Sequence, residues 1–420
     1  MFDSRKIDSF FDGDKPFENM PMDGKAPMSK GLRFVKLGFP CLAALLLGLM
    51  VVVPSVKKSV DLQDRTTFPR KEELEKLHME DTVFHFTDGN NRVSEVIAEN
   101  IDETEPGSNK VKIMHPKGYI TTANGKVNIV SESGFFNQKE NILDLLNDVQ
   151  VTANQNTLIT TPSATYEFNR DYGYGNEAVR ATGDWGTLDA EAFTYDKNQE
   201  LLTLIGQNKL TSANGTLTAE QKTEIYRNEN KIYAYGKATV LHDKTTLTAD
   251  KIIGFFTADY KHELRRVEAY GNVVIKTDGK TARGQRGFYE AQSGKVELFG
   301  TAETGGKGGT VEVREKDNVL NAGKIEAYLS NGAVRELQRV NVYGNVRIKT
   351  SKGTARGDRG VYNPQKNIVE LFDNVIIEQD GNFIKGTHAE TDLNTSVSRI
   401  RSNKTSGGRI SGTFYKKKGK

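Results

Sequence analysis

The chain has 420 residues and a formal net charge of +3, from 58 Lys and Arg against 55 Asp and Glu. That balance excludes a nucleic-acid binder with a broad basic face, and lone Cys41 excludes an internal disulfide framework. Hydrophobic residues make up 36% and the mean hydropathy is −0.56, so most of the chain reads as water-soluble, with 40 Gly to supply turns.

Residues 1–32 are polar, mix Asp with Lys and lack periodicity, and are expected to be disordered. Residues 33–56 read as one transmembrane anchor helix. Leu37 to Val53 is a 17-residue run without a charge, flanked by Arg33 and Lys36 on one side and by Lys57 and Lys58 on the other. Extended to Val56 it gives ~30 Å of helix, enough to cross a bilayer core. No small-x-small cleavage site follows it, which argues against a cleaved leader. Basic residues at both ends leave a weak orientation signal; the short N-terminal segment is expected on the cytoplasmic side. Residues 57–80 are charged and read as a linker, with FPRKEELEKLHM able to form a helical turn or two.

From residue 81 the pattern changes to short alternating strands separated by turn residues. Residues 270–299 (YGNVVIKTDGKTARGQRGFYEAQSGKVELF) and 343–372 (YGNVRIKTSKGTARGDRGVYNPQKNIVELF) share 19 of 30 positions at an offset of 73, and weaker copies run back to about residue 131. Units spaced by about 28–40 residues imply an elongated β structure in which each unit buries its apolar face against its neighbours.

Every unit carries a strand that ends in a small or turn-forming residue, such as Gly206 in LTLIGQ or Gly344 in VNVYGN. Counted from that residue, positions −4 and −2 are apolar in each copy: Leu143 and Leu145, Leu202 and Leu204, Ile232 and Ala234, Val267 and Ala269. The later copies are Val296 and Leu298, Val340 and Val342, and Val369 and Leu371. Positions +2 and +4 continue the pattern with Val149 and Val151, Leu210, Val240, Val273 and Ile275, Val346 and Ile348, and Val375 and Ile377. Alternate residues of a strand share a face, so these positions form one inward apolar row. The residue at zero is expected to allow a bend or bulge, with Asn147 and Asp373 as the tolerant replacements for Gly. Position −1 is large in every copy. A second signature (TAEQKTEIY, TADKIIGFF, ARGQRGFY, AGKIEAY, ARGDRGVY) opens each unit, and its Tyr and Phe residues read first as core packing and second as lipid contacts.

No catalytic constellation stands out. The six His residues, at 78, 85, 115, 242, 262 and 388, show no metal-ligand spacing. The stretch GTAETGGKGGT (300–310) lacks the phosphate-loop pattern and reads as a hairpin loop. No nucleophile–base pair appears, so no enzyme activity, metal or cofactor is expected. The last 28 residues hold no acid and eight Lys or Arg, and residues 401–420 form a basic tail that reads as a solvated segment or a contact for anions.

An N-terminal anchor followed by units of the type YGNVxIKT, TARGxRGxY and VELF resembles the lipopolysaccharide-transport proteins with an OstA-like β-jelly-roll domain. Residues 81–210, through MHPKGYITTANGKVNIVSESGFF and LLNDVQVTA, are similar to the membrane-anchored LptC family, and 211–400 are similar to the LptA family. The resemblance implies a twisted antiparallel jelly roll, where periodicity alone leaves a parallel β-solenoid open. It also implies a single-pass inner-membrane protein with its bulk in the periplasm. Its implied partners are lipopolysaccharide, bound through its lipid A acyl chains, an inner-membrane ABC transporter, and a bridge or outer-membrane receiver joined by edge-strand addition. A β-solenoid scaffold without a ligand and a polysaccharide-acting β-helix enzyme stand beside this reading as alternatives.

Overall fold

The computed structural model describes residues 78–413, apart from 88–92, 106, 123–124, 154–155, 171, 214, 243, 259–262, 278, 301–308, 331–335, 396 and 403–409. The expected disordered segment, the membrane anchor and nearly all of the linker lie outside the described residues, as do most of the Gly-rich stretch and much of the basic tail. Among the described residues, no helix is long and apolar enough to cross a membrane.

The chain divides into two compact units, whose described parts are 78–213 with 220–230, and 214–219 with 231–413. The first holds β1 (His78–Thr87), β2 (Val93–Glu103), β3 (Lys110–Met114), β4 (Lys117–Thr122), β5 (Gly125–Val130), β6 (Ser133–Asn137) and β7 (Ile142–Ala153). It continues with β8 (Thr157–Glu167), β9 (Tyr172–Gly175), β10 (Val179–Gly183), β11 (Gly186–Asp196), β12 (Leu201–Ser212) and, after β13, β14 (Lys222–Tyr226). The second holds β13 (Gly215–Ala219), β15 (Lys231–His242), β16 (Thr245–Phe256), β17 (Leu264–Thr277), β18 (Lys280–Glu290), β19 (Lys295–Phe299), β20 (Val311–Glu315) and β21 (Asn318–Ala322). It ends with β22 (Lys324–Leu329), β23 (Leu337–Thr350), β24 (Gly353–Asn363), β25 (Ile368–Gln379), β26 (Asn382–Asp392), β27 (Val397–Arg401) and β28 (Ser411–Thr413). The pairings within each unit are antiparallel, which removes the parallel solenoid.

The residue at position zero does what its type predicts. Pairing slips between Tyr270 and Val273, between Tyr343 and Val346, and between Phe372 and Val375. At each slip two consecutive residues adopt the left-handed conformation: Gly271 and Asn272, Gly344 and Asn345, Asp373 and Asn374. In the first unit Asn147 and Asp148 do the same between Leu146 and Val149. Such a pair favours Gly, Asn and Asp, although Lys237 follows Gly236 at the corner of β15, and it bends the strand sharply. The half of a strand before this corner and the half after it then take different neighbours. In β23, Leu337–Tyr343 pairs with β22 and Arg347–Lys349 with β21. One strand therefore serves two arms of the sheet, and their apolar faces meet in one core.

Depth in that core follows distance from the corner. In the second unit the −2 and +2 residues form the floor: Ala269 is 2% exposed, Val273 0%, Val346 1% and Val375 1%. The −4 and +4 residues stand above them, half-buried. The floor alternates large with very small residues. A Cβ on Gly360 would lie 2.8 Å from Val342 Cγ2 and 3.1 Å from Leu371 Cδ2. The glycines of the ARGxRG signature thus leave room for the inward side chains of the strands on either side, a role that its spacing alone did not reveal.

A corner substitution isolates the backbone term, because a Cβ on Gly344, at φ +77°, meets only Gly323 at 3.7 Å. Gly344→Ala is expected to cost about 1–2 kcal/mol from left-handed strain alone, whereas Asn345→Gly stays within about 1 kcal/mol of the parent. Urea unfolding of both variants checks the pair; equal stability of Gly344→Ala and the parent removes the corner argument.

Candidate functional site

The candidate site is the apolar interior, and the two units build it differently. In the first, Leu143, Leu145, Val149, Val151, Leu202 and Leu204 are all buried, at 5% exposure or less. Large side chains close its −4 level: Phe136 and Tyr166 pair in register with Leu143, and Tyr195 and Ile225 with Leu202. All four are buried. Leu210 is half-buried, and the +2 position beside it is polar, which breaks the expected row. This residue, Asn208, is buried and fully engaged: Thr223 donates to its Oδ1 at 2.6 Å, and its Nδ2 donates to the Gly206 carbonyl at 2.9 Å.

Within this unit lies a small apolar pocket, partly open to solvent. Of the expected residues it gathers Val149, Val151 and Leu204. Ile159, Val179, Ala181, Leu188 and Phe193 also line it, and these were missed. They belong to β8, β10 and β11, which lack the Gly-ended signature; the alternation Leu188, Ala190, then Phe193, Tyr195 was the signal available. Thr161 is the polar member, and its hydroxyl donates to the Ser163 carbonyl at 3.1 Å.

In the second unit the expected residues separate into two classes. Val273, Leu298, Val342, Val346, Leu371 and Val375 are buried in the floor. Ile232, Val240, Val267, Ile275, Val296, Val340, Ile348, Val369 and Ile377 form half-buried rows toward the mouth. The −4 row here carries smaller partners than in the first unit. Val267 faces Gly254 and Tyr289, and Val340 faces Ala327 and Tyr362. Side chains of that size leave aliphatic surface uncovered.

The signature aromatics split between the faces. Tyr289 and Tyr362 share the interior face with Val267 and Val340 by register. Phe255, Phe288 and Tyr328 instead lie on the outer face among cations: Arg266 stands 5.6 Å from the Phe288 ring centre, and Lys295 5.9 Å from that of Tyr328. The core-packing expectation fails for these three because each sits one residue out of phase with the inward row.

The −1 residues of the second unit also face outward and alternate with basic residues on the adjoining strands. By register the row reads Tyr235, Lys251, Tyr270, Arg286, Phe299, Lys324, Tyr343, Arg359, Phe372, His388, Arg401. Lys324 Nζ stands 4.8 Å from the Phe299 ring centre, Arg359 lies 5.5 Å from that of Phe372, and His388 stacks on Phe372 at 4.8 Å. Beside this row, carboxylates hold the cations in place. Glu326 accepts from Lys324 at 2.6 Å and from the Tyr328 hydroxyl at 3.0 Å, with Lys295 at 3.3 Å. The Lys324 hydrogen bond leads in holding its carboxyl at about 2, against an ordinary 4.5. Among the described residues, no three of His, Cys, Asp and Glu converge as a metal site.

Residues 42–213 match the family model for LptC-related lipopolysaccharide-assembly proteins, and residues 308–397 match that for LptA and the LptD N-terminal domain, described as lipopolysaccharide transport proteins. The chain joins an LptC-related region to an LptA-like region. No curated protein matches it. Among solved structures, it is similar to LptH, the LptA-homologous periplasmic component of the lipopolysaccharide transport device of Pseudomonas aeruginosa, at 16% identity over 41% of this chain and 95% of that one. The TM-score of 0.18 gives that likeness no weight for the fold. The pocket falls in the LptC-related region. Of the outer row, Lys324, Tyr343, Arg359, Phe372 and His388 fall in the LptA-like match.

Two outcomes follow. The folded-state pKa of Glu326 is depressed, so its contribution is present above pH 4.5 and is lost as pH falls toward about 2. Glu326→Gln is expected to flatten the acid limb of a stability–pH profile in that window; an unchanged limb removes the assignment. Val375→Asp puts a charge in the floor and is expected to destabilise by about 3 kcal/mol or more. At the half-buried mouth, Ile377→Asp is expected to cost about 1 kcal/mol. Chemical denaturation of the two separates floor from mouth.

Proposed function

We propose that the chain is a non-enzymatic component of a lipopolysaccharide-transport bridge. In this reading it is held in the inner membrane by the 33–56 segment, with the bulk of the chain in the periplasm. Its interior receives acyl chains that an inner-membrane ABC transporter delivers and hands them toward the outer membrane. Edge strands pair with neighbouring bridge or receiver proteins.

The observation that carries the reading is the half-buried aliphatic mouth of the second unit, in a chain whose two matched regions are both described by lipopolysaccharide assembly or transport. A lipid tail in water costs about 0.8 kcal/mol for each exposed CH₂, so its carrier needs uncovered aliphatic surface outside the bilayer. A closed β core offers none. The repeated mouth rows offer it at similar depth from strand to strand, which lets a chain slide without meeting one deep well.

The test is photo-crosslinking in cells that use this chain for lipopolysaccharide export. A benzophenone amino acid at Ile348 or at Ile377 is expected to give lipopolysaccharide adducts. The same residue at Val273, which is fully buried, is expected to give none. Absence of adducts at both mouth positions, in variants that accumulate normally, would overturn the proposal in favour of a ligand-free scaffold.

A further inference from the structure

The outer aromatic–basic row stops at the C-terminal edge of the second unit. Its last four members are Arg359, Phe372, His388 and Arg401, on β24 to β27. Inside the row, Phe372 has Arg359 at 5.5 Å from its ring centre and the His388 ring stacked at 4.8 Å, 15° from parallel. Arg401 is different. It is exposed, it lies across from His388, and among the described residues no strand pairs with the far side of β27. Its neighbour Arg399 has an acid, with Nη1 3.1 Å from Glu390 Oε1. The residue in register with Arg401 is another base. What the row supplies to its other arginines, an aromatic face on an adjoining strand, is missing on the free side.

We infer that this edge selects a partner strand that places a Tyr or Phe opposite Arg401. The inference rests on the edge-pairing part of the proposed function and adds the chemistry of the occupant. Backbone hydrogen bonds alone tolerate any register, because every residue offers the same N–H and C=O groups. A side-chain row with a two-residue period does not, since a slip of one residue turns the aromatic to the opposite face. The exposed edge is short and charged, with five residues and two arginines, but β27 carries no Pro and no bulge against β26, and Val397 is 50% exposed. Its two arginines lie on the outer face, so one is held by Glu390 and the other is left to read the incoming strand.

The probe is a pair of fluorescein-labelled heptapeptides, Thr-Val-Thr-Tyr-Thr-Val-Thr and the same strand with Leu at its centre, titrated against the full chain by anisotropy. The Tyr peptide is expected to bind about two- to fivefold more tightly, as an exposed cation–aromatic contact provides. Arg401→Gln, an exposed change whose fold is checked by circular dichroism, is expected to abolish the preference while leaving binding of the Leu peptide unchanged. Equal binding of the two peptides to the parent overturns the aromatic assignment and leaves edge pairing standing. A preference that persists in Arg401→Gln also overturns it. Failure of both peptides to bind overturns the inference together with the edge-pairing part of the proposed function.

Discussion

The fold depends on one local constraint, a pair of left-handed residues set in the middle of a long strand. A strand that runs straight can serve one sheet. With Gly344 and Asn345 both at positive φ, β23 turns, and its two halves hydrogen-bond to different neighbours. The side chains two residues before and after the turn then point at each other. Everything else in the interior is measured from that point, because β7, β15, β17, β23 and β25 carry the turn at the same place in their alternation. Where Gly is absent, Asp373 and Asn374 hold the same geometry, so the requirement is for the backbone conformation and not for glycine itself.

Much of this was open to reading in the chain. The bend at position zero, the Asn and Asp replacements, and the inward placement of the −4, −2, +2 and +4 residues all follow from period-2 alternation around a conspicuous Gly. Depth within the row did not follow. Val346 and Ile348 are both aliphatic and both inward, yet one is 1% exposed and the other half-buried. The difference comes from how far two bent sheets have diverged at each level, a tertiary distance with no counterpart in residue type. The same gap hid the role of Gly360, whose lack of a side chain is decided by Val342 and Leu371 on the adjoining strands. Phe288 was misplaced for a simpler reason: it neighbours Tyr289 in sequence, and adjacent strand residues face opposite ways.

The two units show that one repeat can give opposite interiors. Both place aliphatic residues at −4, but the first flanks Leu143 with Phe136 and Tyr166, and the second flanks Val267 with Gly254 and Tyr289. Aromatic pairs on both sides seal the level; a glycine on one side leaves it open. The apolar pocket beneath the sealed level of the first unit lies at the depth where the second unit has its alternating Gly and Val floor. Small changes in side-chain volume at fixed register thus separate a buried −4 level from a half-buried one, with the corner unchanged.

The outer row follows from the same phase. If −2 is inward, then −1 is outward, and it sits next to the corner in every unit. In the second unit an aromatic residue there covers the turn, and a cation on a neighbouring strand lies against its ring, as Lys324 does at Phe299, while Glu326 fixes that cation from the next outward position. Lys324 illustrates the division: its ammonium meets the Phe299 ring and the carboxylates of Glu297 and Glu326 at once. A shift of one residue in any strand would exchange the interior and exterior patterns together, placing Arg359 among the aliphatic floor and Val342 in water. Two independent side-chain patterns on opposite faces therefore enforce a single register, and they do so most strongly beside the corner, where both are at their densest.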